Sequence, residues 1–370
     1  MSDFENTRSS NPSAASADGG SSPARPRGRG AGENTRQRFA ELHVAYDEGE
    51  TPSKVTTKFF HDHASSIISY NDSPDMGFGG SINPYRGCEH GCAYCYARPY
   101  HEYLGFSAGI DFESRIMVKD DAPGLLRAAL MKPGYKPDGL SMSGVTDCYQ
   151  PVEKKLRVTR GCLEVLVDFH HPVAVITKNF LVTRDIDLLA TLAREQAAVV
   201  FLSITSLDPK LAHVLEPRAS SPKQRLEAIR LLHQAGVPVG VSCAPLIPAL
   251  NDHEIPAILD AAAQAGASFA SYTVVRLPFS VKEVFASWLD AHFPEKKEKI
   301  LGRIRETQGR TLSHGEFGKR LRGEGVWAEQ IAQIFRISKI RSGIAGRGRS
   351  SLSTAAFRRP EVGGQLSLGL

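Results

Sequence analysis

The 370 residues are 41% hydrophobic and 23% charged, enough to bury one large core, and the length admits one domain or two. No apolar run approaches the roughly 18 residues of a membrane span, and the polar, acidic start (Ser2, Asp3, Glu5) lacks the hydrophobic region of a secretory signal, so a cytoplasmic protein that uses no membrane is expected. The net charge of +5 lies in the ends: residues 1–38 carry +2, residues 336–370 carry +6, and the middle is −3, so the tails either hold polyanions loosely or are simply solvated.

Along the chain, Met1 to Arg38 is rich in Ser, Gly, Pro and Arg with a single Phe, too little apolar surface to offset the entropy of ordering. The composition from Ser342 onward is similar. Both ends are read as disordered tails (1–38 and 342–370), flanking a main domain over 39–312 and a helical extension over 313–341.

The first predicted strand, Gly80 to Pro84, runs into Cys88, Cys92 and Cys95, spaced C-x3-C-x2-C. A [4Fe-4S] cube normally takes four thiolates, so three on one loop leave an iron open for a ligand from outside the protein. Polar Arg86-Gly87 and Glu89-His90-Gly91 argue against a buried cysteine trio. A zinc site with His90 as fourth ligand is the alternative, although the ring sits inside the short span between two ligands. Six cysteines, three in one loop, point to a reducing compartment.

Further along, apolar strands alternate with helical stretches. Strands are expected at Gly139 to Gly144, Val173 to Thr177, Val199 to Thr205, Val237 to Pro245 and Phe269 to Arg276, with helices at Leu156 to Asp168, Ile186 to Gln196, Pro222 to Ala235 and Glu254 to Ala265. The crossover over 95–131 reads as broken helical pieces. Near-continuous apolar strands between helices indicate a parallel sheet covered by helices.

The loop from Cys88 to Cys95 resembles the signature of radical S-adenosylmethionine (radical SAM) enzymes. The run from about Lys58 to Phe335 is similar to their bacterial branch related to spore photoproduct lyase, often described as DNA repair photolyase-like. GVTDCYQP (Gly144 to Pro151), ITKN (Ile176 to Asn179), SITSLD (Ser203 to Asp208), EPRASSPKQRLEAI (Glu216 to Ile229) and APLIPALND (Ala244 to Asp252) carry that similarity. It implies an α/β fold, a partial (β/α)6 TIM-type barrel whose site gathers at the carboxyl ends of the strands.

The resemblance also implies roles. Cys88, Cys92 and Cys95 would ligate a [4Fe-4S] cluster, and S-adenosyl-L-methionine would chelate the open iron with Tyr94 beside its adenine. Ser143, Gly144, Thr146 and Asp147 fall where the family grips the amino group, which needs acceptors. Lys178 suits the methionine carboxylate, and Ser203 suits ribose or carboxylate oxygens. Arg218 is expected to clamp a carboxylate with Glu216 orienting it, and Leu246 with Ile247 to wall the adenine. Spore photoproduct lyase uses a donor cysteine just before the Ser/Thr-Asp pair, where this chain has Gly144 and Val145. Cys148 and Tyr149, with Gln150, would have to supply any radical relay; the alternative is that they shape the substrate site. Ser143 and Thr146 have the alternative of capping the following helix. Cys162 and Cys243 read as small core residues.

With these parts, one electron from a flavodoxin or ferredoxin-type reductant would cleave S-adenosylmethionine to a 5'-deoxyadenosyl radical. Two substrate classes stay open: a nucleic-acid base lesion to be repaired, or a peptide or small molecule to be modified. A non-catalytic metal-binding module is the third reading. The end, Gln365 to Leu370 (QLSLGL), resembles the peptide by which bacterial polymerases and repair proteins dock on the sliding clamp, with alternating leucines as pocket fillers.

Overall fold

The computed structural model describes residues 26–39, 55–75, 77–346 and 352–360. In chain order its strands are β1 (Lys58–His61), β2 (Ile68–Tyr70), β3 (Gly80–Ile82), β4 (Tyr85–Arg86), β5 (Arg115–Val118), β6 (Leu140–Met142), β7 (Val173–Thr177), β8 (Ala198–Ser203), β9 (Val239–Leu246) and β10 (Phe269–Val274). Among the described residues, β3, β6, β7, β8, β9 and β10 form one parallel sheet in that order, with β2 antiparallel on the outer edge of β3. These are the six strands expected, and with the intervening helices they make the partial (β/α)6 barrel.

The sequence reaches this arrangement because both faces of each central strand are covered. Val173 and Val175, Val200 and Leu202, and Val239, Val241 and Cys243 share the main core with Leu163, Leu166, Leu189 and Leu192 of the covering helices. The alternate residues face inward. At the amino ends of the strands Ala174, Val199, Phe201 and Phe269 cluster with Phe78 and Leu352, which fills the floor of the barrel. Gly240 is required there, because a Cβ would come within 2.0 Å of the Phe269 ring. Nearer the carboxyl ends the inward positions turn polar, with the Ser271 hydroxyl donating to Ser242 at 3.2 Å.

Six strands leave the barrel open between β10 and β2. A segment after the helix Lys297–Thr307 spans that opening: Leu277 N donates to Leu312 O and Val274 N to Leu321 O (both 2.8 Å), while Arg320 reaches Asp75 at 2.6 Å. The helix Gly325–Arg341 then packs on the helix Ile255–Gln264, and Phe335 lies 4.6 Å from Tyr272, ring to ring. The expected extension is therefore irregular over 311–324 and helical beyond.

The tails differ from expectation where they are described. Gly30 and Ala31 donate their N–H groups to the Glu113 carboxylate (3.1 and 2.8 Å), and a Cβ on Gly30 would stand 1.7 Å from Gly91 O. Downstream, Ser353 N donates to Gln196 O, Arg358 N to Phe169 O, and Phe357 lies 5.6 Å from His171. These segments are held by backbone groups and by polar side chains such as Arg29, Gln37, Arg38 and Arg359 rather than by an apolar face, so composition alone reads them as unstructured. The expected clamp-docking peptide, 365–370, lies outside the described residues. A small sheet of β1, β5 and β4, which the periodicity did not signal, braces the first loop.

Candidate functional site

The three cysteines sit in the loop that follows β3 and β4, at the carboxyl end of the sheet. Two glycines shape it: Gly87 (φ +78°) and Gly91 (φ +67°) occupy left-handed backbone, and a Cβ would lie 2.9 Å from Phe112 O and 2.6 Å from the Glu113 carboxylate respectively. Arg98, fully buried, then clamps the loop by donating to Cys92 O from Nε (3.0 Å) and Nη2 (2.8 Å) and to Glu113. Gln150 joins it from the far side, accepting from Glu89 N at 2.9 Å and donating to Gly87 O at 3.3 Å.

All three thiols are free, and burial raises the pKa of each, so alone they would remain protonated at neutral pH. Thiolates there need a cationic core to bind, and three on one short loop suit an iron-sulfur cluster with one iron left open. His90 is not spare for a zinc ion. Its Nδ1 faces Asp147 at 3.3 Å and its Nε2 faces Asn179 at 3.1 Å.

The strand ends gather around Cys92. The Lys178 Nζ lies 5.9 Å over the Tyr94 ring and has no hydrogen bond or ion pair among the described residues. Burial would lower its pKa, but Cys92 and Glu216 outweigh that and raise it, so the ammonium stays charged. The Tyr94 hydroxyl donates to Glu216, which also accepts from Thr205 (2.6 Å) and from the buried Arg225. Burial pushes the Glu216 carboxyl up, and Arg225 with Lys178 pulls it below its ordinary value. Ser203, buried at the end of β8, gives its carbonyl to Arg225 (2.9 Å) and falls on the same strand face as the inward Val199 and Phe201.

Residues 82–262, which carry this loop and Lys178, match the family model of the radical SAM superfamily. The chain belongs to the radical SAM superfamily. An uncharacterized protein of Mycobacterium tuberculosis is 33% identical over 244 residues, covering 65% of this chain and 71% of the relative. One of Methanocaldococcus jannaschii is 29% identical over 219 residues, covering 59% and 78%. Among solved structures, spore photoproduct lyase complexed with dinucleoside spore photoproduct superposes with a TM-score of 0.53 at 17% identity, covering 76% of this chain and 78% of that one. The likeness establishes a radical SAM fold, and membership of the superfamily makes the chain a radical SAM enzyme.

Measured against that fold, the predicted residues divide. Cys88, Cys92, Cys95, Tyr94, Lys178 and Ser203 converge, and Ile247 packs in the cluster that holds Cys92 and Tyr94. Leu246 points instead into the core on the helix side. Asp147 is fully engaged: its carboxylate accepts from Thr177 Oγ1 (2.7 Å), Tyr149 N, Lys178 N (both 2.9 Å) and His90, so it ties β6 to β7 and to the cysteine loop and has little capacity left for an ammonium. Ser143 (φ +100°) accepts from Cys148 N at 3.1 Å within the loop and Thr146 donates to Gly87 O at 2.6 Å, so neither caps the following helix, which begins at Glu153 without a side-chain cap. The Gly144 carbonyl takes the Tyr96 hydroxyl at 2.6 Å.

Two expectations are corrected. Arg218 does not pair with Glu216; its Nη1 faces Glu89 and Thr57, both at 3.4 Å, and the partner of Glu216 is Arg225. Cys148 and Tyr149 are fully buried in the main core, with the Tyr149 hydroxyl donating to Asp185 at 3.0 Å and the Cys148 thiol facing Met142 O. Neither faces the lumen. Gln150, expected beside any radical relay, instead braces the cysteine loop. The residues missed are Arg98, Glu113 and Arg225, whose only sequence signal is a charged side chain that reads as one more solvated position.

Proposed function

We propose that Cys88, Cys92 and Cys95 hold a [4Fe-4S] cluster, that S-adenosyl-L-methionine lies across the carboxyl ends of β7 and β8, and that the enzyme acts on a nucleic-acid base lesion. When bound, the two supply a 5'-deoxyadenosyl radical after one electron from a flavodoxin or ferredoxin-type reductant. The observation that carries this reading is the free ammonium of Lys178 beside three free thiols.

The chain's own residues do the rest. Lys178 meets the ligand's carboxylate with a point charge, and Glu216, neutralised by Arg225, keeps that charge in place without competing for it. Tyr94, pinned by Glu216 and Thr205, offers a flat face at fixed height beside the cysteine loop, and Ile247 backs it. Asp147 positions His90 and the backbone of Lys178. The apolar floor of Phe78, Phe201, Phe269 and Leu352 excludes water from below, and the 311–324 segment closes the open side. No helix among the described residues is long and apolar enough to cross a membrane.

The substrate reading is supported by the shared fold of spore photoproduct lyase, whose complex holds a dinucleoside photoproduct. The test is anaerobic turnover of ultraviolet-irradiated oligonucleotide, with peptide and small-molecule extracts as rivals. Repair of a photoproduct with formation of 5'-deoxyadenosine or reuse of S-adenosylmethionine supports it. Cofactor cleavage that only a peptide or small molecule accelerates moves the enzyme to the other class.

A further inference from the structure

The β10 side of the barrel mouth carries groups that the cofactor site does not use. Arg276, just past the end of β10, is partly buried, its guanidinium 5.0 Å over the Tyr96 ring, and it has no hydrogen bond or ion pair among the described residues. Burial, with the like charge of Arg320, lowers its pKa below the ordinary arginine value, so a bound anion would relieve it. The Tyr96 hydroxyl is anchored on Gly144 O, which places Arg276 directly beside the cysteine loop.

Outward from Tyr96 the surface is aromatic. Tyr100, Tyr103 and Phe279 are 52%, 68% and 59% exposed, and they line one cleft of about 120 Å³ with Arg38 and Arg276. Arg38 lies 4.0 Å over the Phe279 ring. Two acids bear on this cleft and both are engaged: Glu102 is buried and held by Arg38 and by the Ser280 hydroxyl at 2.6 Å, and Asp75, whose charge reaches Arg276, is paired with Arg320 at 2.6 Å. Single exposed aromatics are ordinary; three rings in one cleft beside an unpaired guanidinium form a surface with a distinct chemistry.

We propose that this cleft binds single-stranded nucleic acid, with Arg276 on a backbone phosphate and Tyr100, Tyr103 and Phe279 as stacking platforms for bases flanking the one delivered to the lumen. Ring faces beside guanidinium groups match the stacked bases and anionic backbone of a single strand. A duplex keeps its bases stacked on one another, and a base that reacts inside a barrel must leave that stack. An acidic peptide would satisfy the arginines but leave the rings without stacking partners. This inference rests on the nucleic-acid reading above and names where it is met.

The experiment is fluorescence anisotropy on the full, cluster-loaded chain, anaerobically, with labelled oligo(dT) of about 12 nucleotides, the matching duplex, and an oligoglutamate of the same charge. The wild type is expected to bind the single strand more tightly than the duplex or oligoglutamate. Arg276→Gln should weaken it about tenfold or more and lower the salt slope by about one phosphate. Tyr103→Ala and Phe279→Ala should each weaken it about fivefold or more with the slope unchanged, and Phe279→Trp should retain it. Arg341→Ala, on the C-terminal helix, is the control expected to bind as wild type. Thermal melts and cluster absorbance confirm folding, and Phe279→Trp covers any alanine variant that fails it. Wild-type affinity in Arg276→Gln and Phe279→Ala would overturn the cleft while leaving the nucleic-acid reading intact. Equal binding of oligoglutamate would overturn it in favour of an acidic polypeptide. No single-strand binding at about 50 mM salt would overturn both the cleft and the reading beneath it.

Discussion

Arg98 and Glu113 form an ion pair, Nη2 to Oε1 2.5 Å, with no solvent exposure on either side chain, and through it the cysteine loop is joined to the N-terminal segment. Arg98 holds Cys92 O while Glu113 takes the N–H groups of Gly30 and Ala31. Removing one partner leaves the other charged in the interior. Glu113→Ala is therefore expected to cost about 3–5 kcal/mol in denaturant unfolding. The same variant should lose reconstituted iron, since the loop loses its anchor; unchanged stability and iron would show that the pair is incidental.

Lys178→Ala should weaken S-adenosylmethionine binding by about tenfold or more, because a charge-assisted hydrogen bond is worth on the order of 1.5–3 kcal/mol. Calorimetry on cluster-loaded protein reads this directly. Arg218→Ala, whose guanidinium faces Glu89, should change that affinity far less.

Asp147 gives a pH signature. Burial pushes its pKa up, but His90, the Lys178 N–H and the Thr177 hydroxyl outweigh burial and bring it down to about 2, from an ordinary 3.8. A carboxyl lowered by folding stabilises the fold above its unfolded pKa, and that contribution fades as pH falls through the folded value. The apoprotein should thus lose about 2 kcal/mol on this account between about pH 5 and pH 2. In Asp147→Asn that part of the acid-dependent loss should vanish, measured by denaturant unfolding across the range.

Cys148→Ala should retain cluster iron and cofactor cleavage, since the thiol lies in the helix-side core, and should cost only about 1–2 kcal/mol of stability. Loss of cleavage with the cluster intact would bring Cys148 back into the radical path.

What could be read in the sequence follows from how each signal is encoded. The strands of Val173–Thr177 and Ala198–Ser203 are uninterrupted apolar runs buried on both faces, so pattern alone locates them. Lys178 and Ser203 were legible for a related reason: a polar residue closing an apolar strand stands at the mouth of a barrel. Arg225 was not, because in PKQRLEAIRLLHQ it reads as one more solvated helix position, and only the crossing of that helix over β8 turns it inward to Glu216. Asp147 was placed at the right strand end but assigned to a ligand, whereas its acceptors are filled from the neighbouring strand and from His90, contacts that depend on register. Residues 26–39 carry almost no apolar signal; they are held by polar contacts to distant positions, among them the buried Glu113 carboxylate more than 80 positions away and Glu102.

On the proposed reading Cys88, Cys92 and Cys95, and no other side chain, would hold the cluster. Iron and acid-labile sulfide in anaerobically reconstituted single variants test it most directly. Cys88→Ala, Cys92→Ala and Cys95→Ala should each lose essentially all cluster iron while Cys148→Ala, Cys162→Ala, Cys243→Ala and His90→Ala retain a four-iron cluster. Retention of the cluster in any of the first three, or its loss in Cys148→Ala, would overturn the three-cysteine ligand set.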